Sequence, residues 1–394
     1  MPVTQDHHWS NYTRVVLQSQ AQRGNSPAPP ATPHPRSPPG PSRPAEPAGW
    51  GTPRRGMMAP VSDSRPLQIT ALAGGVGGAR FLRGLLAHLR SAEDPARRDA
   101  RVTVVVNTAD DVTLHGLRIS PDLDSVMYTL GGGIDEARGW GRAQESYGVA
   151  GELAAHGEGP SWFTLGDKDI ATHVIRTRML AEGATLSEVT ARLCERWQPG
   201  ARLLPMTDDR VETHVDLADG PGGATRRVHF QEWWVRLHAA VPAVRIEAVG
   251  AAASRPAPGV LEALREADVV VLPPSNPVVS IGTVLQVPGI RDALVAAPAP
   301  VVGVSPVVAG APVRGMADAC LSAIGVPTTA AAVAGLYDDF LDGWLIAEED
   351  EPPRRPGLVV RRRPLLMSSP RATADLAGAA LDLALELDRK EPAA

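Results

Sequence analysis

Apolar residues follow two patterns along this chain. Short, almost wholly apolar runs at Leu67 to Ala73, Arg101 to Asn107, Val269 to Pro273 and Pro300 to Ser305 alternate with segments in which apolar residues recur every three or four positions. Unbroken apolar runs predict strands buried on both faces, and the helical segments between them predict crossovers. The class is therefore α/β: a Rossmann-like, largely parallel, doubly wound sheet with helices on both faces. Helix starts are explicit. Ser120-Pro121 supplies an N-cap and a first-turn proline before Leu123, Val126, Met127 and Leu130, and Gly131 to Gly133 end that helix. Thr185-Leu-Ser-Glu188 is a capping box before Val189, Leu193 and Trp197.

The middle of the chain breaks the pattern. Val211 to Leu217 and Arg226 to Arg236 flank Asp219-Gly-Pro-Gly-Gly223, which predicts an antiparallel hairpin inserted into the α/β unit. With neighbouring helices, this insertion is expected at about residues 140–245 of a single domain covering 66–390. Trp233 and Trp234, in the second arm, favour packing over an aromatic wall for a ligand or an oligomer contact. The first 65 residues are a different material. From Arg23 to Arg65 the chain is mostly Pro, Ser, Ala, Gly and Arg, a composition expected to remain unpacked, and Met57 and Met58 offer an alternative translation start.

Composition narrows the function classes. A net charge of −5 argues against holding nucleic acid by bulk electrostatics, and no apolar run is long enough to span a bilayer. Cys194 and Cys320, with no paired framework, read as buried reduced thiols of a cytoplasmic protein. Lys168 and Lys390 are the only lysines, so Lys168 stands alone in the body of the fold.

Chemistry gathers after the strands. The first strand runs into Gly74, Gly75, Gly77, Gly78 and Arg80, and Phe81, Leu82, Leu85, Leu86 and Leu89 continue at helical spacing. Glycines between a strand and a helix let backbone approach an anion at the helix N-terminus, which suits a phosphate. The spacing is neither a Walker A loop nor the G-x-G-x-x-G fingerprint, and a turn that only packs helix on strand is the alternative. The second strand ends in Asn107-Thr-Ala-Asp110-Asp111, followed by Asp122 and Asp124 in the first turn of the next helix. Four carboxylates beside a phosphate loop call for a cation, most simply Mg²⁺. Asp110 and Asp124 are assigned to metal or substrate, and Asp122 to helix-dipole chemistry. A third cluster runs Asp167-Lys168-Asp169 to Thr172, His173 and Arg176, where His173 and Arg176 share a helix face suited to phosphate or a hydroxyl-bearing substrate. Ser275, Asn276, Ser280 and Gly282 follow another buried strand, placed to read a base edge or a phosphate, although Pro-Ser-Asn-Pro is also ordinary loop chemistry.

These segments together resemble the 2-phospho-L-lactate transferase family of coenzyme F-420 biosynthesis. The resemblance rests on Gly-Gly-Val-Gly-Gly-Ala-Arg, Asn107-Thr-Ala-Asp-Asp, Ser120-Pro-Asp-Leu-Asp, Gly166-Asp-Lys-Asp-Ile-Ala-Thr-His and Ser275-Asn-Pro-Val-Val-Ser-Ile-Gly, in order from about Leu67 to Leu385. Gly139-Trp-Gly, Arg196-Trp-Gln-Pro-Gly-Ala-Arg-Leu-Leu-Pro and His229-Phe-Gln-Glu-Trp-Trp-Val-Arg resemble its actinobacterial, phosphoenolpyruvate-transferring branch. The resemblance implies transfer of a phosphate-containing three-carbon unit from a guanosine-diphosphate-linked donor to the side-chain hydroxyl of the deazaflavin Fo, with release of GMP. It implies enolpyruvyl-diphospho-guanosine as donor, with the lactyl analogue as alternative. A non-catalytic nucleotide-binding relative is the rival outside enzymology. By the same resemblance Mg²⁺ falls to Asp110 and Asp124, Fo to Asp124 and the region of Lys168, and the nucleotide to the glycine loop and Ser275 to Gly282. Arg80 or Arg176 would counter phosphate charge, with Asn107, Asp111, Thr172 and His173 completing the site. A homodimer is expected.

Overall fold

The structure, a computed structural model, describes residues 65–218 and 223–388. The readings of residues 1–64, of the hairpin tip at 219–222 and of Lys390 lie outside the described residues. Seven strands form the main sheet: β1 Gln68–Ala73, β2 Arg101–Val106, β3 Arg202–Pro205, β4 Val269–Leu272, β5 Val301–Val304, β6 Gly343–Ile346 and β7 Val359–Arg362. Their spatial order is β3-β2-β1-β4-β5-β6-β7, and every neighbouring pair is parallel. The expected doubly wound α/β architecture is what the chain adopts.

Alternate strand residues enter opposite cores. Leu72, Val105, Leu204, Val270 and Val301 pack on one side of the sheet, and Ile69, Ala71, Val104, Val271 and Val302 on the other. That two-sided burial is why the strands read as unbroken apolar runs. Five helices matter below: α1 Gly75–Arg90, α2 Pro121–Leu130, α3 Asp167–Ala181, α4 Leu186–Trp197 and α5 Pro370–Asp388. Gly84 of α1 faces Thr373 of α5, where a Cβ would come within 2.6 Å of both the Thr373 methyl group and its carbonyl oxygen, so the glycine lets the two helices approach closely. The capping box at Thr185 forms as expected, with hydrogen bonds in both directions to Glu188.

The insertion differs from expectation in extent and shape. β3 pairs in parallel with β2, so residues 202–205 belong to the main sheet and interrupt the segment assigned to the insertion. The inserted element is a three-stranded antiparallel sheet of Glu212–Ala218, Thr225–His229 and Ala243–Val249, with the first of these in the centre. Its second arm stops at His229, and Glu232–Arg236 form a π-helical turn rather than strand. Trp233 is fully buried there, and its Nε1 donates to the Val241 carbonyl at 2.9 Å. The indole needs an acceptor once buried, and the chain provides one by curling back; packing is its role.

Candidate active site

The order of the strands reverses at β1, with β2 grown on one side and β4 on the other. In open parallel sheets the crevice beyond the carboxyl ends at such a reversal is where ligands bind. The glycine loop leaves β1 at this point, and Ser275 follows β4. Ser275 Oγ accepts from the Gly74 amide at 3.2 Å and donates to the Gly74 carbonyl at 2.9 Å, stitching the two strand ends together. Gly75 has φ +64°, which favours glycine. A Cβ on Gly77 would sit 2.6 Å from the Pro274 carbonyl oxygen, and one on Gly74 would collide with Asp122 and lie 2.8 Å from Ser280 Cβ. Gly282 is similarly pressed on the Pro277 carbonyl, at 2.8 Å. These glycines therefore pack helix on strand as well as opening the N-terminus of α1.

Asn107, at the end of β2, donates through Nδ2 to Asp122 Oδ2 at 2.9 Å, and its Oδ1 accepts from the Ala109 amide and the Thr283 hydroxyl. Asp122 thus reaches across to the glycine loop. The helix-dipole role expected for it is too modest: this carboxylate bridges α2, β2 and α1. Asn276 shapes its own loop: its Oδ1 accepts from the Val278 and Val279 amides and its Nδ2 donates to Cys320 Sγ.

The second half of the site joins α2 to α3. Asp124 Oδ1 accepts from Arg176, and Arg176, only 1 % exposed, also donates to the Arg118 carbonyl at 3.3 Å and to His173 Nδ1 at 3.1 Å. Since Arg can only donate, His173 Nδ1 is an acceptor and its proton resides on Nε2, which has no partner. Thr172 Oγ1 accepts from Tyr128 at 2.8 Å. Ser120 stands at the helix start but does not cap it; its hydroxyl donates to Asp111 Oδ2 at 2.7 Å, beside Arg118 at 3.2 Å.

Two further members of the predicted site make main-chain contacts. Lys168 Nζ donates to the Ala143 carbonyl at 3.1 Å and to that of Gln144, so the lone lysine holds down the 143–144 loop at the start of α3. Arg80 reaches the Glu136 carbonyl at 3.5 Å. Asp122, Thr283, Arg118, Tyr128 and Asp169 are the residues that sequence reasoning passed over or undervalued. Asp122 and Asp169 had signals, their places in Ser120-Pro-Asp-Leu-Asp and Gly166-Asp-Lys-Asp.

The acids of this crevice are buried, and burial shifts their titration. Asp110, Asp111, Asp122 and Asp124 are each at most 8 % exposed. Burial raises the Asp111 carboxyl to about 7 and the Asp122 carboxyl to about 6, while burial reinforced by Asp122 raises Asp110 well above the usual range. Burial followed by the charge of Asp124 lifts Asp169 to about 6, and burial lowers His173 to about 4. Asp110 Oδ1, Asp111 Oδ1, Asp124 Oδ2 and Asp169 Oδ1 are buried without a partner. Among the described residues no group of three or more His, Cys, Asp or Glu is placed to form a metal cage. Carboxylate oxygens left free in this way are the kind of ligand Mg²⁺ takes, an ion that keeps waters and fills its remaining positions from phosphates.

The profile of the 2-phospho-L-lactate transferase CofD family matches residues 69–357, which includes the glycine loop, both acid-bearing segments and the Ser275 loop. The chain belongs to this family, and it is a transferase. A phosphoenolpyruvate transferase of Thermobifida fusca is 59 % identical over 82 % of this chain and 100 % of its own length. One from Streptomyces coelicolor is 57 % identical over 82 % and 99 %. A crystal structure of a Bacillus halodurans protein superposes with a TM-score of 0.52 at 18 % identity, covering 80 % of this chain and all of that one, a likeness of fold alone. Among the described residues no helix is long and apolar enough to cross a membrane.

Proposed function

We propose that this chain transfers a phosphoenolpyruvyl group from enolpyruvyl-diphospho-guanosine to the side-chain hydroxyl of Fo, giving dehydro-coenzyme F-420-0 and GMP, as a cytoplasmic homodimer. The observation that carries the reading is a full-length match to relatives named phosphoenolpyruvate transferase, joined to a buried acid cluster at the sheet's reversal point.

In the reaction a primary alcohol attacks the phosphorus bearing the enolpyruvyl group. A new O–P bond forms, the bridging P–O bond breaks, GMP leaves with the electron pair, and the alcohol proton is released. Positioning and charge neutralisation dominate such transfers. The N-terminal turn of α1 and the Ser275 to Gly282 segment would bind the nucleotide phosphates at the crevice. Asp110 and Asp124 would hold Mg²⁺ through their unpartnered oxygens. An ion held there would supply charge neutralisation and Lewis acidity to the transfer. Arg176 keeps Asp124 oriented through their buried ion pair, and Arg80, in the second turn of α1, would counter phosphate charge. Lys168 and the loop it holds would border the deazaflavin.

The test is a turnover assay with Fo, Mg²⁺ and each donor, read by chromatography. Dehydro-F-420-0 and GMP should form, faster from the enolpyruvyl than from the lactyl donor. Faster lactyl transfer would move the chain to the phospholactate reaction named in its family's description. Tight guanosine nucleotide binding with neither donor turned over would overturn the transfer reading in favour of a binding protein.

A further inference from the structure

The acidic segment after β2 is held from outside the main sheet. Three consecutive main-chain carbonyls, those of Ala109, Asp110 and Asp111, accept hydrogen bonds from the inserted antiparallel element. The Thr213 amide donates to Ala109 at 2.6 Å, Gln231 Nε2 to Asp110 at 3.1 Å, and His229 Nε2 to Asp111 at 3.1 Å. His229 Nδ1 accepts from the Gln231 amide at 3.1 Å, which leaves the ring proton on Nε2, where the Asp111 carbonyl needs a donor. Gln231 is 5 % exposed, so its amide has no water to fall back on. His214 packs edge-on against His229 at 5.6 Å between ring centroids, which fixes the ring's orientation.

Asp110 Oδ1 is buried without a partner, so no side-chain hydrogen bond at that oxygen fixes the loop. A donor on each successive carbonyl restrains the backbone that carries the two carboxylates. We infer that His229 and Gln231 are positioning residues: they hold the main chain of Asp110 and Asp111 so that the carboxylates keep one geometry. The part that concerns turnover rests on the transferase reading above.

Three variants test this. Gln231→Met removes the donor at similar size, and His229→Leu removes both ring functions. His229→Gln returns an amide N–H near the position of Nε2. Turnover number should fall about tenfold to a hundredfold in the first two, since small misplacements near reacting groups carry costs of that size. The KM for donor and the Kd for GMP should stay within about twofold, because the glycine loop is untouched, and His229→Gln should recover most of the loss. A matched fall in donor affinity and turnover, or no advantage of His229→Gln over His229→Leu, would overturn the inference. Hydrogen exchange gives a readout that needs no reaction. Amides of residues 109–112 should exchange faster in Gln231→Met and His229→Leu than in the parent protein, with β1 and β4 unchanged. Unaltered exchange there overturns the positioning role whatever the transfer assay gives; accelerated exchange without any transfer in the parent protein would instead sink the transferase reading alone.

Discussion

Asn107 donates to Asp122 Oδ2 at 2.9 Å while its carbonyl oxygen accepts from Thr283 at 2.7 Å. One side chain thereby joins the end of β2, the first turn of α2 and the segment after β4. It also dictates which group can stand at position 122. The Asn107 carbonyl is already committed to Thr283 and to the Ala109 amide, so only the amide end faces Asp122, and it requires an acceptor.

Asp122→Asn should therefore destabilise the protein by about 1–3 kcal/mol, the cost of a buried polar group left without a proper partner. If the new amide presents its nitrogen, two donors face each other; if it presents its oxygen, its own nitrogen points at the glycine loop. Urea unfolding measures the loss. Undiminished stability would show that the contact is dispensable.

Arg176→Met should cost about 3–5 kcal/mol, because it strands the Asp124 carboxylate in the interior without its partner. Adding Asp124→Asn to Arg176→Met should recover part of that loss. A double variant less stable than the sum of the singles would contradict the pairing, and thermal or urea denaturation of all three decides it.

Gly77→Ala places a methyl group 2.6 Å from the Pro274 carbonyl oxygen, a main-chain atom with little freedom to move. The strand ends must part, so stability should fall by about 1–3 kcal/mol and guanosine nucleotide affinity should fall with it. Calorimetric titration with GMP reports the second effect. Nucleotide binding unchanged in a destabilised variant would mean that the loop packs helix on strand and does nothing more.

Stability in metal-free buffer should decline with rising pH. The Asp111 carboxyl titrates near about 7 in the fold against about 3.9 unfolded, so its contribution is complete below about pH 4 and is lost as pH rises to about 7. Asp122 and Asp169, both near about 6, act in the same direction over a lower range. His173 opposes them. Lowered to about 4 from about 6.5, it adds stability as pH rises across that interval and is silent above it. Between about pH 6.5 and 7.5 the opposition of His173, and of His229, which burial also lowers, fades while Asp111 still loses its proton, and Asp111→Asn should lessen the decline. Denaturant midpoints across this range are the check, and a rise with pH in the parent protein would refute the assignment.

Millimolar Mg²⁺ should raise the parent protein's melting temperature, and Asp110→Asn or Asp124→Asn should remove most of that increase. Both variants should also cut turnover severely. A full Mg²⁺ response in both would place the ion elsewhere.

Much of this molecule was legible before any coordinates. The four central strands are written in runs that admit burial on both faces. The capping box at Thr185 and the proline at 121 are local signals read correctly at short range, and the glycines after β1 announce a strand-to-helix turn without any partner. Such features depend on residues within a few positions of one another, where periodicity and backbone preference act directly. The arrangement of the site was decided otherwise. Arg176 meets Asp124 across 52 residues, Gln231 meets Asp110 across 121, and Ser275 meets Gly74 across 201. No local preference selects such pairs; the sheet's strand order brings them together and burial then forces each polar group to find a partner. The same cause explains Asp122, which reads as a first-turn acid until β2 places Asn107 beside it. The main-sheet strand at Arg202–Pro205 lay hidden within the presumed insertion, because four residues carry too little pattern to be told from their surroundings until β2 pairs with them.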